Sequence, residues 1–146
     1  MFVVDTNILL YAADKSMPEH DVCRRLLEEW RSQSPIWYLT WGIVYEFLRV
    51  VTHPRVFRNP WNIADAWEFV RAVLASRSLK ILVETDRHPE IAEDVFKGLS
   101  HIRGNLVFDV HTAILMKEHG VPRIYTRDAD FHRFPFLEVI DPLQKG

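Results

Sequence analysis

A short apolar run near the amino end, Phe2-Val3-Val4, stops at Asp5, and apolar residues at helical spacing follow at once. A run that short and that apolar predicts a strand buried on both faces, as in a parallel sheet covered by helices. Asp5 then falls at the strand's carboxyl end, where open α/β sheets form their ligand crevices. The pattern returns near the other end of the chain, where Ile124-Tyr125-Thr126 leads into Arg127-Asp128-Ala129-Asp130-Phe131. Two strands that deliver carboxylates to one edge of a sheet make a cation site.

The intervening sequence alternates strand and helix patterns. Strand 2–4 is followed by helices near 7–13 and 18–32, the latter with Pro18 in its first turn. Strand 36–40, helix 41–51, a loop from His53 to Pro60 and helix 62–76 come next. Strand 79–83, helices 88–98 and 105–119, strand 123–126, a helical turn near 128–132 and strand 137–140 complete the order. Such alternation predicts an α/β fold in three layers, a central and mostly parallel sheet with helices on both faces. At 146 residues, with neither internal repeat nor Gly/Ser linker, residues 1–146 are expected to form one domain.

Composition excludes several classes. Apolar residues make up 48% and charged residues 26%, a balance that argues against disorder. The longest apolar stretch, Ile8 to Ala13, is too short to span a bilayer, and no signal-peptide pattern surrounds it. Cys23 is the only cysteine, so an internal disulfide is excluded and a reducing, cytoplasmic setting with no membrane contact is expected. The net charge of −2 does not announce nucleic-acid binding. If several carboxylates are consumed by cations, however, the rest of the surface turns mildly basic and tolerates a polyanion.

Each acid also has a plain explanation. Asp5 and Asp128 can serve as helix N-caps. Asp109, in or just past the first turn of helix 105–119 after the candidate N-cap Asn105, can simply complement the helix dipole. Segment 41–51 is apolar nearly all round, with Trp41, Val44, Tyr45 and Leu48 on one face and Ile43, Phe47 and Val50 on another. It is therefore expected to be buried on most sides. Its Glu46 then either pairs with Arg49 at i,i+3 or meets a cation.

Taken together, Val3-Val4-Asp5-Thr6-Asn7, Glu46 inside an apolar helix, Asp109 at a helix start and Tyr125-Thr126-Arg127-Asp128-Ala129-Asp130-Phe131 resemble the PIN-domain family, and within it the VapC-like toxins of toxin–antitoxin pairs. The likeness runs over essentially the whole chain. It implies a metal-dependent endoribonuclease in which Asp5, Glu46, Asp109 and Asp128 are catalytic and hold one or two Mg²⁺ or Mn²⁺ ions. Asp130 is implied as a further ligand, with Thr6, Asn7 and Thr126 as hydrogen-bonding support. It also implies an RNA substrate, a cognate antitoxin with an arginine-bearing tail, and a homodimer. Hard cations of this kind suit clustered carboxylates, which repel one another without them. Water activated by metal leaves 5′-phosphate and 3′-hydroxyl ends. Two alternatives stand beside this one: a phosphoaspartyl-type phosphatase, although Asn7 occupies the place of its second aspartate, and a non-catalytic module whose acidic pocket docks a basic segment.

Other residues attract less chemistry. His111 follows Asp109 by two positions, about 200° round a helix, and is expected to cap or pack. The remaining histidines show no zinc-type spacing. Segment 49–61 mixes Arg49, His53, Arg55 and Arg58 with Phe57 and Trp61. That mixture suits single-stranded RNA, making His53, Arg55 and Arg58 candidate RNA contacts. The alternative is an ordinary loop whose aromatics return to the core.

Overall fold

The computed structural model describes residues 1–32 and 35–144. β1 (Phe2–Val4) is buried along its length and pairs in parallel with β2 (Trp37–Thr40) on one side and β4 (Arg123–Tyr125) on the other. β3 (Leu79–Leu82) extends the sheet beyond β2, and β5 (Glu138–Ile140) extends it beyond β4, giving the order β3-β2-β1-β4-β5. Every pairing is parallel, which goes one step further than the mostly parallel sheet expected.

Strand order and handedness decide where the helices lie. The chain moves outward from β1 to β2 to β3 through α1 (Thr6–Ala13), α2 (His20–Ser32), α3 (Trp41–Val51) and α4 (Ile63–Leu74). It then returns from β3 to β4 through α5 (His88–Lys97) and α6 (Leu106–His119). Right-handed crossovers in opposite directions fall on opposite faces of a sheet. Accordingly α1 packs on α2 and α3, and α3 on α4, whereas α5 packs on α6, and α6 on the short 3-10 turn Ala129–Arg133. These are the three layers expected.

The core fills both sides of the strands. Val3, Val4, Leu39 and Ile124 are fully or almost fully buried, each contributing roughly 1.5–3 kcal/mol of transfer free energy. Phe2, Trp30, Trp37 and Tyr125 form a ring cluster with centroids 4.8–6.3 Å apart. α6 ends at Gly120, whose φ of 68° and amide bonds to Lys117 and Met116 carbonyls turn the chain into β4. Among the described residues no helix is long and apolar enough to cross a membrane.

Three local expectations are corrected. Pro18 lies in a turn before α2 rather than in its first turn. Met17 N–H donates to the Asp14 carbonyl and His20 N–H to that of Met17, closing the chain before the helix begins. Asn105 stands at the α6 boundary but has helical dihedrals and makes no capping bond. α3 is not buried on most sides. Ile43, Val44, Phe47, Leu48 and Val51 form one buried stripe, while Trp41 and Tyr45 are 42% and 66% exposed. As an outer-layer helix it has a sheet on one side only, so its extra aromatics face out.

Candidate metal centre

The strand order reverses between β1 and β4, the place where a doubly wound sheet opens its crevice. Asp5 follows β1 and Thr126 follows β4, and the Asp5 N–H donates to the Tyr125 carbonyl at 3.0 Å, extending the register into the site. The buried Thr126 hydroxyl donates to Asp5 Oδ2 at 2.7 Å. The same oxygen atom of Thr126 accepts from Asn7 Nδ2 at 2.9 Å and from the Asp128 N–H at 3.0 Å. Asn7 Nδ2 also reaches Asp5 Oδ2 at 3.2 Å, and its Oδ1 accepts from the Arg127 N–H at 3.1 Å. Thr126 is thus the joint between both acid-bearing strand ends, with its one donor and both lone pairs in use.

Among the described residues Asp5 Oδ1 accepts only from the Thr6 N–H, at 2.8 Å, so it keeps a lone pair for another partner. The N-cap explanation of Asp5 is therefore correct and incomplete. Asp128 behaves alike: its Oδ1 accepts from the Asp130 N–H at 2.9 Å and caps the 3-10 turn. Its carboxylate also converges with those of Asp109 and Asp130, one oxygen of each lying within 4.8 Å of the others. Asp130 Oδ1 additionally accepts from Arg133 at 3.1 Å, which neutralises part of its charge.

Glu46 departs from expectation in two ways. It is exposed, so it does not bear the desolvation expected inside an apolar helix. It makes no ion pair with Arg49 among the described residues; its Oε2 instead accepts from Thr6 Oγ1 at 3.3 Å, facing the Asp5 end of the crevice.

Electrostatics bind the acids into one unit. Burial pushes Asp5 up to about 6, against the hydrogen bonds from Thr126 and Thr6 that pull it down, with the Glu46 and Asp128 charges adding to the rise. Asp109 is pushed up to about 7, by burial first and then by the charges of Asp5, Asp128, Glu46 and Asp130. Such mutual repulsion among oxygen donors is relieved by a hard divalent cation. The donor set present fits Mg²⁺ or Mn²⁺.

The other candidates separate. Phe57 is buried, and Trp61 meets Phe47, Phe57 and Phe69 edge to face, so the aromatics of segment 49–61 belong to the core and do not offer stacking platforms. His53 Nδ1 accepts from the Arg55 N–H at 3.0 Å, closing a turn. Arg55 and Arg58 remain exposed. His111 turns away from Asp109 as expected, but toward Glu84 and His88, a grouping that linear spacing gives no reason to expect.

The chain matches the PIN domain family over residues 2–137. Ribonuclease VapC48 of Mycobacterium tuberculosis is 30% identical to it over 138 residues, covering 94% of each chain. Among solved structures, VapBC2 from Rickettsia felis, bound to a DNA fragment from their promoter, superposes with a TM-score of 0.65 at 19% identity, covering 95% of this chain and 96% of that one. VapC20 of M. tuberculosis, a sarcin-ricin loop cleaving toxin, does so with a TM-score of 0.63 at 17% identity, covering 90% and 93%.

Proposed function

Because this chain belongs to the PIN-domain family, we propose that it is a divalent-metal-dependent endoribonuclease and the toxin of a toxin–antitoxin pair. The observation that carries this is the convergence of Asp109, Asp128 and Asp130 beside the buried Asp5 at the sheet's switch point. Asp5, Glu46, Asp109 and Asp128, with Asp130, would hold Mg²⁺ or Mn²⁺. When bound, such an ion supplies a water of lowered pKa and charge to stabilise the leaving 3′-oxygen.

The chain's own residues do the positioning. Thr126, Asn7 and the Thr6 amide fix the Asp5 carboxylate, so it needs no reordering to accept an ion. Thr6 Oγ1 steers Glu46 from the α3 side, while α6 brings Asp109 from the opposite layer. With Asp109 near 7 in the metal-free chain, occupancy of the site is coupled to proton release at neutral pH. An arginine from an antitoxin tail would meet the same carboxylates, which gives the pair a direct means of inhibition. Exposed Trp41 and Tyr45 on α3, with Ile63 and Trp67 on α4, offer the apolar surface that a homodimer needs. A toxin that cleaves cellular RNA would act in the cytoplasm. Family membership sets the phosphoaspartyl alternative aside.

The test is incubation of the purified chain with total RNA in Mg²⁺, in Mn²⁺ and in chelator. Cleavage in either metal with 5′-phosphate and 3′-hydroxyl ends is the expected result. Cleavage that persists in chelator or leaves cyclic phosphate ends would overturn the proposal. Binding of basic peptides with no cleavage in any metal would favour the docking-module alternative.

Two predictions arise from the site. Asp128→Asn should lower kcat at least about 100-fold, whereas Asp130→Asn should lower it about tenfold or less, because Arg133 already offsets the Asp130 charge. Equal losses in single-turnover assays would show that both carboxylates reach the metal. Secondly, changing Arg55 and Arg58 together to Gln should weaken single-stranded RNA binding with metal affinity intact. If these exposed arginines meet phosphates, the slope of log K against log salt should lose about 0.7 per contact. An unchanged slope would return the segment to the status of a surface loop.

A further inference from the structure

A second cluster sits at the carboxyl end of β3 and takes no part in the acid centre. Glu84 just beyond β3, His88 at the start of α5 and His111 on α6 each place a ligand atom within 4.8 Å of the others. His111 Nε2 lies 2.7 Å from Glu84 Oε1, and the rings of His88 and His111 meet edge to face with centroids 5.7 Å apart. Behind them, His88 Nδ1 lies 2.5 Å from Glu118 Oε1. The side chain of Glu118 is only 1% exposed, and its other oxygen accepts from both the amide and the hydroxyl of Thr85. A buried, hydrogen-bonded carboxylate that engages one imidazole nitrogen leaves the other, Nε2, to bind a metal in a fixed orientation.

We propose that Glu84, His88 and His111 form a second divalent-metal site, suited to a zinc-type transition-metal ion and separate from the acid centre. Two imidazoles and one carboxylate are a borderline donor set that favours such ions, whereas the all-oxygen cluster at Asp109 favours hard ones. Ligand bonds of about 2.0–2.2 Å in a tetrahedron set donor atoms about 3.4 Å apart. The 2.7 Å contact between His111 and Glu84 therefore has to open by less than about 1 Å, with the ion replacing the hydrogen between them. Three protein donors leave a fourth position for water. β3 lies two strands from β1, so the site stands roughly 10 Å along the sheet edge from Asp5. An ion there ties the segment after β3 and the start of α5 to α6, the helix that carries Asp109.

Zinc binding at this cluster is independent of ribonuclease activity and is tested without it. Metal-free full-length protein is titrated with Zn²⁺ in the presence of millimolar Mg²⁺, which competes for the carboxylate cluster. Calorimetry should show one equivalent of Zn²⁺ bound per chain. Imidazole ¹⁵N resonances of His88 and His111 should shift together while those of the other histidines stay in place. His88→Gln and His111→Gln should each abolish that equivalent, and Glu118→Gln should weaken it about 10- to 100-fold. Zinc binding that leaves both sets of resonances unmoved, or no saturable equivalent under Mg²⁺, would overturn the proposal. Because the resonances are read in the unsubstituted chain, the result holds however the variants fold.

Discussion

At pH 8 in the absence of metal, Asp109→Asn should melt at a higher temperature than the parent chain while no longer cleaving RNA. The parent carries a carboxylate at this position whose folded pKa is about 7 against an ordinary 3.8, because burial and four neighbouring acids oppose its charge. Above pH 7 that charge is present and its cost falls entirely on the folded state. Below 3.8 the group is neutral in both states and the cost vanishes, so parent stability rises as pH falls between those values. Asn keeps the size of Asp without the charge. Its advantage should therefore be complete above pH 7, shrink as pH falls and disappear near pH 4. Allowing for the partial exposure of Asp109, the gain is on the order of 2 kcal/mol, or several degrees in Tm. Millimolar Mg²⁺ should reverse the ranking, stabilising the parent by binding its folded form and leaving the variant almost unchanged. A variant less stable than the parent at pH 8, or one that still cleaves RNA with Mg²⁺, would remove Asp109 from the centre.

Much of this architecture follows from local pattern, and the exceptions have physical causes. Asp5 and Thr126 are legible as strand-end residues because short apolar runs mark buried parallel strands, and parallel pairing alone brings those ends together. The boundaries at α2 and α6 shift because a hydrogen-bonded turn at Met17 and helical dihedrals at Asn105 override residue preference. Counting apolar residues on α3 predicts an apolar environment for Glu46, since the count does not distinguish a core face from an exposed one. Trp41 and Tyr45 are on the surface, and Glu46 is exposed with them. Segment 49–61 divides in the same way, because aromatics beside arginines read equally as an RNA platform or as core, and Phe57 and Trp61 pack with Phe47 and Phe69 while Arg55 and Arg58 stay exposed. His88 and His111 lie on separate helices, and only the packing of α5 on α6 makes them neighbours. Pair geometry of that kind has no signature in linear spacing.

Thr126→Val should be the most damaging change outside the carboxylates themselves. Valine fills the same volume, so the loss is polar and leaves no cavity. Thr126 is fully buried, and its hydroxyl serves Asp5, Asn7 and the Asp128 amide at 2.7, 2.9 and 3.0 Å. Each buried partner left unpaired costs about 1–3 kcal/mol, but Asp128 and Asn7 retain some access to water. A net loss on the order of 2–4 kcal/mol in denaturant unfolding is expected. The hydrogen bond from Thr126 is also the main influence holding Asp5 down against burial, so its removal drives that carboxyl further above 6. A carboxylate with a raised pKa is fully ionised only at higher pH. The acid limb of the pH–rate profile should therefore move to higher pH, and more Mg²⁺ should be needed at pH 7 than at pH 8.5. Thr126→Ser restores the hydroxyl, and should return the profile and the metal requirement toward those of the parent even if its missing methyl costs some stability. A purely structural role predicts that both variants lose stability with the acid limb unmoved. That outcome, in a folded Thr126→Val chain, would show that Asp5 and Asp128 keep their positions without the joint between them.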